Sequence, residues 1–355
     1  MASNVKIMVV DDTITYRQIM SKVVEMVPGT ELVTSAASGR AALMKIPSTK
    51  PDLIFLDVMM PDLDGIQTLR LIKQDFPNIH VVMVSGIDKE MAQATLDSLA
   101  AGALTFVAKP QGGAMEESLK QLVEALTPLV DLVREMVYGE TKETLRVTAP
   151  LKPVLSPDKG VGRAIDLILI GISTGGPNAL NALFGSIKSK FPCPVLIVQH
   201  MPPMFTASLA ERLDQISPMS IKEAQEGDRL HPGEVYIAPG GIHMTINKAA
   251  GGFRIALNDG PPVNHCKPAV DVLFESVAGL DGVHALSVVM TGMGRDGTEG
   301  VKLLKQRGTY CLIQDQATSV VWGMPGSVSE AGIADEVLPL EKIGDRLVQL
   351  ANQYR

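Results

Sequence analysis

The sequence predicts an α/β protein made of two doubly wound, parallel-sheet domains in series. Three observations carry this reading. Short apolar runs, each closed by glycine, proline or an acid, alternate with segments of helical periodicity, which is the pattern of βαβ units. The residues that follow those runs carry chemistry: Asp11-Asp12, Asp57, Ser85, Lys109, Ser173, His200 and, beyond a glycine-rich turn, Asp296. Between the two sets of runs lies a polar stretch with Pro150, Pro153, Pro157, Gly160 and Gly162, which forbid a regular element. The expected division is a domain over 1–125, a linker over 126–163 and a domain over 164–355.

A length of 355 residues suits two domains, and 46% hydrophobic residues suffice for two sizeable cores. The net charge of −7, with no clustered Lys/Arg face and no zinc-finger spacing, argues against a nucleic-acid partner. Cys193, Cys266 and Cys311 have no metal-ligand spacing and are odd in number, as expected of reduced thiols in a cytoplasmic protein. The opening MASNVKIMVVDD runs straight into a strand-like segment and does not read as a signal peptide. No apolar run is long enough for direct membrane insertion.

In the first domain, Lys6–Val10 reads as a strand ending in Asp11-Asp12. A helix follows, with Ile19, Met20, Val23, Val24 and Val27 on one face and Pro28-Gly29 closing it. Asp52–Leu56, Val81–Val84 and Leu104–Val107 read as further buried strands, leading into Asp57, Ser85-Gly86 and Ala108-Lys109-Pro110. Open parallel sheets bind ligands at the carboxyl ends of their strands, so these residues should converge. The carboxylates of Asp11, Asp12 and Asp57 repel one another unless a cation joins them, and an all-oxygen set favours Mg²⁺. Lys109 facing them suits the charge of a transferred phosphoryl group. Taken singly, such acids also read as helix caps and the lysine as solvent-exposed.

This segment resembles a response-regulator receiver domain. The acidic pair is Asp11-Asp12, and the D-x-x-M-P-x-x-D-G pattern runs from Asp57 through Met60-Pro61 to Asp64-Gly65. The resemblance implies a flavodoxin-like fold. It also implies phosphorylation of Asp57 by a histidine kinase, with Mg²⁺ held by Asp11, Asp12 and Asp57. Ser85, Phe106 and Lys109 would be its switch residues.

At the joint, Leu126–Val137 can continue a helix before the polar, proline-rich text begins. The second domain is organised around Asp166–Asn178, DLILIGISTGGPN. A buried strand leads into Gly171-Ile172-Ser173-Thr174-Gly175-Gly176, and Pro177 suits the first turn of a helix. Ser173 therefore stands where backbone N–H groups and a helix dipole favour developing negative charge, placed as a nucleophile. The bland alternative is a glycine-rich turn whose serine caps the helix. Pro194–Val198 is a second strand, and His200 follows it, alone among the six histidines, at a carboxyl end. His284 precedes a strand and belongs to the opposite edge, while His231, His243 and His265 remain competitors and His80 lies in the first domain. Ala285–Met290 leads into Thr291-Gly292-Met293-Gly294-Arg295-Asp296-Gly297. Ser173, His200 and Asp296 at three carboxyl ends of one sheet are the parts of a triad: nucleophile, base, and the acid that sets the base's tautomer. Alone, His200 also reads as a core residue and Asp296 as a cap on a helix over Thr298–Leu304.

These segments resemble the CheB family of chemotaxis protein-glutamate methylesterases. The matching motifs are GISTGGP at Ser173, QHMP at His200, TGMGRDG at Asp296, and GMPGSV over Gly323–Val328. The resemblance implies a Rossmann-like α/β catalytic domain and a phosphorylation-activated serine hydrolase that demethylates methyl-glutamate residues of chemoreceptors and deamidates glutamines. It implies Ser173, His200 and Asp296 as the triad, with oxyanion donors at the backbone N–H of Met293 and of Thr174, and no cofactor for the esterase step. It further implies an unphosphorylated receiver that covers the site. The chain departs from the family at His265-Cys266-Lys267-Pro268-Ala269-Val270-Asp271, a change expected to bear on substrate docking rather than on the triad. Two other functions fit the same residues: a receiver-controlled esterase with another substrate, and a catalytically inert receiver-docking protein.

Overall fold

The structure is a computed structural model, describing residues 3–86, 88–110, 115–139 and 164–353. The chain divides into two compact units, Met1–Ala149 and Pro150–Arg355. The polar part of the expected linker, residues 140–163, lies outside the described residues.

The first unit alternates strands and helices: β1 (Val5–Val10), α1 (Ile14–Met26), β2 (Thr30–Ala36), α2 (Gly39–Thr49), β3 (Leu53–Asp57), α3 (Gly65–Asp75), β4 (His80–Ser85), α4 (Lys89–Ala100), β5 (Thr105–Ala108) and α5 (Met115–Tyr138). Its five parallel strands lie in the order β2-β1-β3-β4-β5. The order reverses between β1 and β3, which opens a crevice where Asp11-Asp12 and Asp57 leave the sheet. The apolar runs of β1, β3 and β4 are buried on both faces, as a parallel sheet covered by helices requires. β2 carries Thr30, Glu31, Thr34 and Ser35 on a half-exposed edge, so its composition hid it from an apolar-run reading. Residues 126–138, drawn into the linker from sequence, are the second half of α5. Leu126, Leu129, Val130 and Val133 bury along that half, and Arg134 donates to the carbonyls of Pro28 and Gly29.

The second unit contains β6 (Leu167–Ile172), α6 (Gly176–Ser186), β7 (Val195–Gln199), α7 (Phe205–Ile216), β8 (Ser220–Glu223), β9 (Glu234–Ile237), β10 (His243–Ala249), β11 (Gly252–Asn258), α8 (Val270–Ala278), β12 (Ala285–Val289), α9 (Thr298–Gln306), β13 (Tyr310–Gln314), α10 (Met324–Glu330), β14 (Glu336–Leu338) and α11 (Leu340–Asn352). Seven parallel strands run in the order β14-β13-β12-β6-β7-β9-β8, and β10 and β11 form a separate antiparallel hairpin. The chain winds outward from β6 through β7, returns to place β12 on the other side, and so puts its switch point between β6 and β12. The central strands β6, β7 and β12 are wholly buried. Helices α6, α7 and α11 pack together, and α8 packs on α9 and the hairpin. Ile172 pairs with Gln199 and Gly171 with Val289, so Ser173, His200 and Thr291 all emerge at one edge.

Candidate active site

The Ser173 turn is clasped from both neighbouring strands. Its N–H donates to Thr291 O at 3.0 Å, its carbonyl accepts from Gln199 Nε2 at 3.0 Å, and Gln199 is itself buried at the end of β7. Gly175 closes the turn at φ +80° and starts α6, a conformation that favours glycine. Gly292 packs so tightly against the serine that a Cβ there would fall 2.7 Å from Ser173 Cβ and 3.1 Å from its nitrogen. The Gly292 loop is held in turn by Val321, Gly323 and Met324, through hydrogen bonds of 2.8–3.1 Å. The GMPGSV segment thus supports the wall beside Ser173.

His200 follows β7 and donates its backbone N–H to Ile172 O. Its Nε2 lies 2.7 Å from Asp296 Oδ2. Asp296 does not cap α9, whose first turn starts after Gly297; it sits on the N-terminus of α8. Oδ2 also accepts the Val270 N–H at 2.6 Å, while Oδ1 accepts those of Asp271 and Gly297 and the Asn264 side chain at 3.0–3.1 Å. Burial works against the Asp296 charge, but the His200 contact and these donors outweigh it and hold its carboxyl below the ordinary range. Asp271, 2.9 Å from Asn264 Nδ2 and bonded to the Gly300 N–H, is raised by burial and by the neighbouring Asp296 charge. An ionised Asp296 accepts only, so in the neutral ring Nε2 carries the proton and Nδ1 keeps the lone pair.

Burial pulls the His200 imidazole down, yet its bonds to Asp296 and Cys266 raise it to about 9. The second partner was not foreseen from sequence: Cys266 Sγ stands 3.4 Å from Nδ1. The altered segment therefore reaches the histidine itself and is not confined to substrate docking. Among the described residues no hydrogen bond joins Ser173 Oγ to His200. The backbone N–H groups of Thr174 and Met293 take no partner within the described residues either.

The other histidines are accounted for. His243 is buried, bonded to Pro261 O and to the Ala269 N–H. His231 and His265 are exposed, and His284 lies at the opposite sheet edge, where its backbone pairs with Asp166. Asn264 and Asp271 shape the Asp296 cradle; Asp271 stands in the altered segment named from sequence, but nothing in the sequence ties either residue to Asp296. Only the fold brings them to the carboxylate.

In the first unit the expected residues do converge. Lys109 Nζ lies 2.8 Å from Asp57 Oδ1 and 2.9 Å from Asp11 Oδ2, and it sits over the Tyr16 ring. Oxygens of Asp11, Asp12 and Asp57 lie within 4.8 Å of one another. Asp57 is raised, first by burial and then by the Asp11 and Asp12 charges, against the pull of Lys109. One ammonium facing three carboxylates leaves net negative charge, and this oxygen-only set fits Mg²⁺. Ser85 is buried and accepts from Thr95 Oγ1 at 2.9 Å, and Phe106 is half-buried on β5.

An acidic phosphoryl-acceptor edge on one parallel sheet, and Ser173 beside a His–Asp pair on a second, define the class: a response regulator whose output unit is of the serine-hydrolase type. Comparison with known proteins agrees. Residues 7–124 match the response regulator receiver domain and residues 168–347 match the CheB methylesterase family. A protein-glutamate methylesterase/protein-glutamine glutaminase of Nocardioides sp. is 41% identical over 98% of this chain and 96% of its own length. One of the same name from Trichodesmium erythraeum is 40% identical over 97% of this chain and 98% of its own. The catalytic domain of Thermotoga maritima CheB methylesterase is 42% identical, with a TM-score of 0.51, covering 53% of this chain and 99% of that one. The chain belongs to the CheB methylesterase family.

Proposed function

We propose that this protein is a phosphorylation-activated protein-glutamate methylesterase and protein-glutamine glutaminase acting on chemoreceptors in chemotaxis. The His200 Nε2–Asp296 Oδ2 contact of 2.7 Å, at the sheet edge that carries Ser173, is the observation that carries it. Ser173 Oγ attacks the side-chain carbonyl carbon of a methylated glutamate. The hydroxyl proton passes to His200 Nδ1, because Nε2 is committed to Asp296. His200 returns that proton to the leaving methanol, or to ammonia when a glutamine is attacked. Water then enters by the same base and releases glutamate. The backbone N–H groups of Met293 and Thr174 stabilise the oxyanion, and such a donor is worth about 2.7–4 kcal/mol. The hydrolase residues supply nucleophile, base and oxyanion donors, so the esterase step needs no cofactor.

In the receiver unit Asp57 is the phosphoryl acceptor from a histidine kinase. Asp11, Asp12 and Asp57 would hold Mg²⁺, which when bound would supply positive charge beside the acceptor carboxylate. Lys109 pairs with the phosphoryl group, while Ser85 and Phe106 respond to it and carry the signal. Among the described residues no helix is long and apolar enough to cross a membrane.

The test is methanol release from methylated chemoreceptor membranes, with and without a small-molecule phosphodonor and Mg²⁺. Release that rises with phosphodonor and falls back in Asp57→Ala is expected. Release indifferent to phosphodonor removes the switch, and no release in either condition removes the substrate. Release at the wild-type rate from Ser173→Ala removes the nucleophile.

A further inference from the structure

The thiol of Cys266 stands in the relation to His200 that a cysteine nucleophile has to its base. Sγ lies 3.4 Å from Nδ1, the other ring nitrogen lies 2.7 Å from the carboxylate of Asp296, and that carboxylate is fixed by four further donors. Sulfur, imidazole and acid therefore form one continuous line, whereas Ser173 Oγ makes no hydrogen bond to the ring among the described residues. The line is set by local chain geometry. Val263 and Cys266 exchange two backbone hydrogen bonds, of 2.9 and 3.1 Å, which clasp a four-residue turn and hold the thiol against the ring.

The three thiols of this chain differ sharply in setting. Cys193 is 2% exposed and Cys311 fully buried, its thiol pushed up to about 12 by burial. Cys266 is half-buried, beside a histidine whose side chain is 11% exposed, at the sheet edge that carries Ser173. A thiolate beside an imidazolium is the arrangement that makes cysteines react near neutral pH, and an inert core thiol lacks both the partner and the access.

We propose that Cys266 is an activated thiol, served by His200 and Asp296, that reacts with small soft electrophiles, peroxides above all, and that its modification switches the hydrolase off. In the peroxide reaction the sulfur attacks one oxygen. An S–O bond forms and the O–O bond breaks. Sulfur is oxidised to the sulfenic acid and the peroxide is reduced, with hydroxide leaving and taking the His200 proton to become water. The bulkier, oxidised sulfur remains at Nδ1, the nitrogen that must accept the Ser173 proton, and so blocks proton transfer. Thiol reductants reverse the oxidation and restore the base.

This thiol chemistry depends on the His200–Asp296 pair and not on the identity of the ester, so its test is separable from the proposed function. Full-length protein is treated with iodoacetamide across pH, and each cysteine is followed by peptide mass spectrometry. Cys266 is expected to be alkylated near neutral pH about tenfold faster or more than in His200→Ala, with Asp296→Asn and His200→Gln as second and third variants. Ser173→Ala is expected to keep the fast rate whether or not Ser173 is the nucleophile. A Cys266 rate equal in native protein and His200 variants, or one that follows the pH profile of an ordinary thiol, overturns the activation. Peroxide followed by a sulfenic-acid trap should mark Cys266, with loss of methanol release that a thiol reductant restores. Full release from stoichiometrically alkylated protein overturns the switch.

Discussion

Replacing Asp296 by asparagine tests the site at its most connected atom pair. The carboxylate accepts five hydrogen bonds: His200 Nε2 and the Val270 N–H on Oδ2, and Asn264 Nδ2 with the Asp271 and Gly297 N–H groups on Oδ1. An asparagine has one oxygen and one NH₂. Turning the NH₂ toward the Oδ1 side sets it against three donors, and toward the Oδ2 side against two. The second orientation is the cheaper, and it leaves the buried Val270 N–H without an acceptor at a cost of about 1–3 kcal/mol. It also obliges His200 to accept at Nε2. The ring then takes the opposite tautomer, its proton moves to Nδ1, and the base facing the substrate is lost. In a Ser-His-Asp site a wrong tautomer costs about 10⁴ in kcat. Methanol release from methylated receptor, read beside urea unfolding of the same preparation, measures both effects. A folded Asp296→Asn protein within about tenfold of native turnover would refute the tautomer argument, because that loss is far below the one the geometry demands.

The His200 imidazole, raised to about 9 by Asp296 and Cys266 against its burial, must be neutral to take a proton. Methanol release should therefore climb as pH rises toward that value, and removing the Cys266 partner should move the climb to lower pH. By the same linkage, a histidine raised above its unfolded value stabilises the fold most at pH below that unfolded value. The contribution is lost as pH rises through about 9, which urea unfolding at two pH values can check. Gly292→Ala puts a methyl group 2.7 Å from Ser173 Cβ and drives the nucleophile from its place. Turnover should drop well beyond the about 1–3 kcal/mol that overpacking costs the fold. Chelating Mg²⁺, or Asp57→Asn, should abolish phosphate uptake from a phosphodonor while unstimulated release persists. Stable phosphorylation of the Asp57→Asn protein at native stoichiometry would move the acceptor elsewhere.

The strands legible in the sequence, the short edge strand β5 excepted, share one physical property. β1, β3, β4, β6, β7 and β12 are central strands buried on both faces, so they must be continuous apolar runs, and such runs are visible without a structure. Most of the strands that the sequence does not show lie at the margins. β2, β8 and β14 are sheet edges that face solvent along part of their length, and the β10–β11 hairpin lies outside the main sheet. Their mixed polarity carries no run to read. β9 and β13 are different: both lie inside the sheet, with Val235–Ile237 and Cys311–Gln314 buried, and their short runs are not singled out by the sequence pattern.

From the sequence alone come the two-unit α/β plan, the carboxyl-end positions of Asp57, Ser173, His200 and Asp296, and the family motifs. The physical reason is that strand ends are local: a residue directly after a buried run must stand at the sheet edge. The tertiary structure alone decides which ring nitrogen faces which partner. Asp296 holds α8 rather than α9, Asn264 joins its cradle from a loop 32 residues away, and Cys266, not the serine, rests against Nδ1. Those contacts cross between segments distant in the chain, and neither periodicity nor spacing encodes the angle at which two loops meet above a sheet.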